Sequence, residues 1–65
     1  MRISVNGKER EVGAAALDEA LVELGYGGMR VATAVDGAFV PAGRRGAVVL
    51  GENSALEVLA PMQGG

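Results

Sequence analysis

Two Asx-Gly dipeptides, Asn6-Gly7 and Asp36-Gly37, constrain this chain more than any other feature. A two-residue hairpin turn that matches the twist of its strands needs a positive φ, and Asn-Gly and Asp-Gly meet that need with the least strain. Arg2-Ile3-Ser4-Val5 alternates polar and apolar residues before the first dipeptide, and Glu9-Arg10-Glu11-Val12 reads as the return strand. The return is the more polar of the two. That suits a sheet edge, where charge discourages pairing with other chains. Val31-Ala32-Thr33-Ala34-Val35 leads into the second dipeptide and Ala38-Phe39-Val40 leads out of it. Pro41, with no N–H for a ladder, ends that short strand.

Between the hairpins, Leu17, Ala20, Leu21 and Leu24 fall at i, i+3, i+4 and i+7, the spacing of one apolar helix face. Asp18 and Glu19 lie in the first turn, where the helix dipole favours negative charge. No Ser, Thr, Asp or Asn stands at an obvious N-cap, and Gly25 is a natural stop. Residues 42–46 read as a loop, 47–50 as a short apolar run, and Gly51-Glu52-Asn53 as a turn. Leu56-Glu57-Val58-Leu59 is the last strand, with Pro61 beyond it. This order predicts an α+β, two-layer β-grasp (ubiquitin-like) fold, a mixed sheet with one main helix packed on one face. Residues 1–60 make up the domain. Residues 61–65, ending in Gly64-Gly65, carry no pattern that would hold them down and read as a flexible tail.

Composition narrows the chemistry. A domain of 65 residues buries only about 60% of the surface its unfolded chain exposes. An internal substrate pocket would consume much of that core, so function is expected at the surface or at a terminus. Without Cys there is no thiol nucleophile, disulfide, iron–sulfur cluster or zinc–thiolate site. Without His, the commonest general base and metal ligand is missing. The expectation is a protein that is not itself an enzyme, with no catalytic side chain, no metal and no bound cofactor. A net charge of −2 gives no case for nucleic acid, and with Trp absent and only Tyr26 and Phe39 present, bases have little to stack on. No apolar run is long enough to span a bilayer, which leaves no membrane partner and a cytoplasmic location as the expectation. Gly64-Gly65, by contrast, can thread a channel where any Cβ would clash, and a terminal carboxylate is a group that can be activated and exchanged.

The residues also resemble a known family, the ThiS-type sulfur carriers of thiamin biosynthesis. The resemblance rests on Met1 to Gly7 with Glu11-Val12, on Val31 to Gly37 with Phe39-Val40-Pro41, and on Leu56 to Gly65. It covers nearly the whole chain and is most specific at the tail. The sequence departs from the family pattern at Gly51-Glu52-Asn53, where an acidic Asp-Gly-Asp-like turn is usual. It departs again at Ala42, where an Arg often follows the Val-Pro, and it lacks an aromatic common in that loop. The resemblance implies that a ThiF-type adenylating enzyme uses ATP to activate the terminal carboxylate. Sulfur from cysteine, relayed by a cysteine desulfurase, then displaces AMP, and a ThiG-type thiazole synthase consumes the resulting thiocarboxylate. On this chain Gly65 would carry the sulfur and Gly64 would be its slender neighbour. The alternatives are the small subunit of molybdopterin synthase, with the same tail chemistry, and a ubiquitin-like modifier joined to lysines.

Strand alternation turns Leu59 away from Leu56 and Val58. An exposed Leu59 is either a stray surface residue or part of a partner-docking patch with Phe39 or Val40, and Met62 could join by adapting its shape. Arg44-Arg45 reads as a solvated pair, and Asp18, Glu19 and Glu23 as helix surface. Gly25-Tyr26-Gly27-Gly28 follows a helix and lacks the Lys and Ser/Thr of a phosphate loop.

Overall fold

A computed structural model describes residues 1–60. Strand β1 (Arg2–Val5) turns at Asn6-Gly7 into β2 (Lys8–Glu11). Helix α1 (Leu17–Glu23) follows, then the hairpin of β3 (Ala32–Val35) and β4 (Ala38–Val40), and finally β5 (Ala55–Leu59). The five strands form one sheet in the order β2-β1-β5-β3-β4. Both hairpins are antiparallel, β5 runs parallel to β1 and antiparallel to β3, and β2 is an edge strand as its charge requires. The sheet is mixed, with one helix packed on it, and the fold is the expected α+β β-grasp.

Both Asx residues adopt the left-handed backbone that the turns demand, with φ of 52° at Asn6 and 50° at Asp36. The first turn pairs Val5 with Lys8, so the return strand begins one residue earlier than its apolar pattern indicates. Val12 lies just past it, where its N–H donates to the Met1 carbonyl at 2.9 Å while its side chain is buried in the core. Along β1 and β5 every second residue points inward. Ile3, Val5, Leu56 and Val58 meet Leu17, Ala20 and Leu21 of the helix, and all are buried. Leu24 packs half-buried at the margin.

The uncapped helix start is supported from outside. The Leu17 N–H donates to the Val48 carbonyl and the Leu50 N–H to the Ala15 carbonyl, so the apolar run at 47–50 is a short pairing partner for the entry to the helix. The Glu23 carboxylate, on the surface as expected, reaches back to accept the N–H groups of Gly13 and Ala14, each at 2.8 Å. At the other end, Gly25 at φ 96° closes a Schellman motif, with Tyr26 N–H donating to Leu21 O and Gly25 N–H to Val22 O.

The segment after Pro41 also differs from the sequence expectation. Residues Ala42–Ala47 form a 3-10 helix where a loop was expected, begun by Pro41, whose carbonyl accepts from Arg44. Nor is Arg45 a solvated residue. Its guanidinium crosses to β3, donating from Nε to Thr33 Oγ1 at 3.2 Å and from an Nη to the Val31 carbonyl. Thr33 is buried in the apolar layer, and its hydroxyl is satisfied on both sides because it also donates to Val40 O at 3.1 Å.

Leu56 is 1% exposed at the centre of the sheet. Leu56→Ala is expected to cost about 2–5 kcal/mol, read as a lower urea midpoint at unchanged slope, which in a domain this small approaches complete unfolding.

Candidate partner-docking face

The helix covers one face of the sheet and leaves the other open. Strand alternation fixes what the open face presents. Leu56 and Val58 point at the helix, so Ala55, Glu57 and Leu59 point away from it. Register then places neighbours. Ala34 of β3 is flanked by Phe39 on one side and Glu57 on the other, and Ala32 lies opposite Leu59. Small residues on β3 leave a shallow depression between larger side chains, lined by Ala32, Ala34, Phe39, Glu57 and Leu59. Phe39 is 68% exposed and Leu59 71%. Beside Leu59, at the end of β5, a second depression is lined by Arg30, Val31, Ala32 and Ala60.

Leu59 and Phe39 therefore share one surface. Val40 does not join them. It is only 7% exposed, because alternation along the three-residue β4 turns it inward when Phe39 turns outward. Val40 belongs to the core and is removed from the candidate docking set. Met62, Gly64 and Gly65 lie outside the described residues, as does the expected tail as a whole.

The open face also explains how β5 is held. Pairing of β5 with the β1 main chain runs from Ser4 N–H on Ser54 O to Asn6 N–H on Leu56 O. Beyond that point β1 turns away. The Asn6 side chain takes over, accepting from Val58 N–H at Oδ1 (2.8 Å) and donating from Nδ2 to Val58 O (3.0 Å). At the start of β5 the second turn residue acts in the same way on the opposite edge. Asp36 donates its own N–H to Ala55 O at 2.8 Å and accepts Ala55 N–H at Oδ1 at 2.9 Å. The sequence marks Asn6 and Asp36 as turn formers. Their reach to a strand about fifty and twenty residues away carries no local signal.

Among the described residues no cluster of carboxylates is placed to hold a metal ion, and no helix is long and apolar enough to cross a membrane. The carboxylates of β2 are engaged with Arg2, whose guanidinium lies 3.3 Å from Glu11 and 3.6 Å from Glu9 in exposed pairs of little energetic weight. What the surface offers is an apolar patch beside the end of the last described strand.

Comparison with known proteins agrees in family and in fold. The ThiS family model matches residues 3–65, nearly the entire chain and including Gly64-Gly65. A crystal structure of a thiamine biosynthesis protein (ThiS) from Geobacter metallireducens is similar with a TM-score of 0.81 and 28% identity, over 100% of both chains. No curated protein sequence matches significantly.

Because Phe39 and Leu59 are largely exposed, their replacement removes little buried area. Phe39→Ser and Leu59→Ser are each expected to change unfolding free energy by less than about 1 kcal/mol, measured by urea titration, in contrast to the core position Leu56.

Proposed function

The chain belongs to the ThiS family, and from that premise we propose that it is a sulfur carrier for the thiazole of thiamin, with its working group at the Gly65 carboxylate. The observation that carries this reading is the extent of the family match, which runs through Gly64 and Gly65. The solved relative named as a thiamine biosynthesis protein supports the thiazole pathway over the molybdopterin one.

The chemistry follows from what a carboxylate can and cannot do. At neutral pH it is a poor electrophile, because attack at carbon must expel an oxide. A ThiF-type enzyme would transfer AMP from ATP to the Gly65 carboxylate, releasing pyrophosphate and turning one oxygen into a leaving group. The outer sulfur of a desulfurase persulfide, taken from cysteine, would then attack the acyl carbon and expel AMP, and a thiol reductant would cleave the S–S bond of the resulting acyl disulfide, itself ending as a disulfide. The resulting thiocarboxylate holds its negative charge on a polarizable sulfur and is the nucleophile that a ThiG-type thiazole synthase would consume. ATP is the partner's cofactor in this scheme, and the carrier binds none. The composition fits. A chain without Cys has no thiol of its own to intercept the activated acyl group, and in this scheme no step requires a catalytic side chain from it.

The body then serves as a handle. The open-face patch of Phe39 and Leu59 is the surface that the adenylating enzyme would grip. Met62, which follows Leu59 and precedes the glycines in sequence, would join the same contact. Gly64 and Gly65 would enter the active-site channel, where the absence of Cβ atoms permits a close fit.

Incubation with a ThiF-type enzyme, ATP, cysteine, a desulfurase and a thiol reductant is expected to raise the intact mass by the difference between sulfur and oxygen. Unchanged mass, under conditions where an established carrier converts, would overturn the reading, and lysine-linked adducts would favour the modifier alternative. Removing Gly65 should abolish conversion and leave the unfolding midpoint in place. Phe39→Ser with Leu59→Ser should raise the carrier's KM by about tenfold or more with the fold intact, as expected when a central apolar anchor is lost.

A further inference from the structure

We propose that Asn6 is a positioning residue for the chemistry at the Gly-Gly end, acting through Val58 to hold the strand that leads there. The proposal rests on the sulfur-carrier reading above.

β5 leaves one N–H and one C=O without a main-chain partner on the β1 side. A β-strand directs alternate N–H and C=O pairs to opposite edges. On the β1 side, Leu56 O is taken by Asn6 N–H. Val58 presents the next N–H and C=O to the same side, but β1 has already turned away at Asn6-Gly7. The Asn6 carboxamide occupies that place with one donor and one acceptor, as a further strand residue would. On its other edge β5 is paired with β3 as far as Leu59 opposite Ala32. The strand is therefore held on both edges up to Val58. Only Leu59 and Ala60 separate this clamp from residues 61–65.

The residue type is tightly specified. The position has φ 52°, which favours Gly, Asn and Asp. Glycine has no side chain to offer. Aspartate can accept from Val58 N–H, but as a carboxylate it has no donor for Val58 O. Asparagine alone supplies both groups at this backbone conformation.

A functional consequence follows. A partner that encloses the residues after β5 must find them leaving the body in one direction. If the strand end were loose, its ordering would be a cost of binding, and such a cost appears in KM while the bound complex reacts at its usual rate. Asp36 provides an internal control. It makes two bonds to Ala55 at the opposite end of the same strand, one from its main-chain N–H, which glycine keeps, and one to its carboxylate, so Asp36→Gly removes one side-chain bond, the same number that Asn6→Asp removes. A purely structural effect of weakening β5 would be shared by both positions. An effect on presentation of the tail would belong to Asn6 alone.

The test uses the full chain with a ThiF-type adenylating enzyme and ATP, and compares wild type, Asn6→Gly and Asp36→Gly, all of which accommodate the turn. Asn6→Gly is expected to raise KM for the carrier about tenfold with kcat within twofold. Amide exchange at Val58 should accelerate while that of Val5 and Leu21 stays at the wild-type rate. Asp36→Gly is expected to leave KM unchanged. Should Asn6→Gly fail to fold, Asn6→Asp retains the turn and one of the two bonds, and its KM should still rise, by a smaller factor. An unchanged KM in the Asn6 variant, an equal rise in the Asp36 variant, or wild-type exchange at Val58 in Asn6→Gly would each overturn the proposal. A wild-type chain left unmodified where an established carrier reacts overturns the carrier reading itself, a result distinct from a working assay with unchanged KM.

Discussion

The structure depends on one strand being held along its whole length. β5 lies at the centre of the sheet, and its inward residues Leu56 and Val58 form the floor on which the helix rests. Its neighbours are too short to satisfy it. β1 pairs with it over two residue positions and β3 over four. The two hairpin turns make up the shortfall, Asn6 at Val58 on one edge and Asp36 at Ala55 on the other. Each turn residue thus does two things, reversing its own hairpin and completing a ladder elsewhere. The Val58 peptide groups are half-buried, and without partners they would be costly in a domain with little core to offset them.

The same economy appears wherever the chain has a gap in its local structure. The helix begins without a side-chain cap, and the backbone of residues 48–50 accepts and donates in its place. The 3-10 segment buries no residue of its own, yet Arg45 within it reaches across to the buried hydroxyl of Thr33. In each case a polar group from a distant part of the chain replaces a partner that the adjacent residues do not supply.

This also sets what the sequence reveals. Turn positions, the apolar helix stripe, the alternation in β1 and β5, and hence the inward Leu56 and outward Leu59, all follow from rules of short range. They could be read from neighbours alone. The role of Arg45 could not, because a double arginine after Val-Pro has the look of a solvated loop until β3 is brought beside it. Val40 was misplaced for a related reason. In a three-residue strand alternation has little length over which to declare itself, and an aromatic neighbour does not say which face it occupies. The Asn6 and Asp36 clamps were invisible as such, since the same Asx-Gly letters fully explain the turns. The Gly64-Gly65 ending stands out in the sequence because Cys and His are absent from the chain, and it lies beyond the described residues.

The helix has only seven residues and borrows its N-terminal partner from a segment some thirty residues later. Helices of that length are unstable alone, so α1 has no existence apart from the sheet and the 48–50 segment. The body must therefore gain or lose its order as one cooperative unit. For the docking face proposed above, this means that a partner would meet either the complete surface or none. Partial loss of the helix, as a graded way of weakening recognition, is closed to this fold.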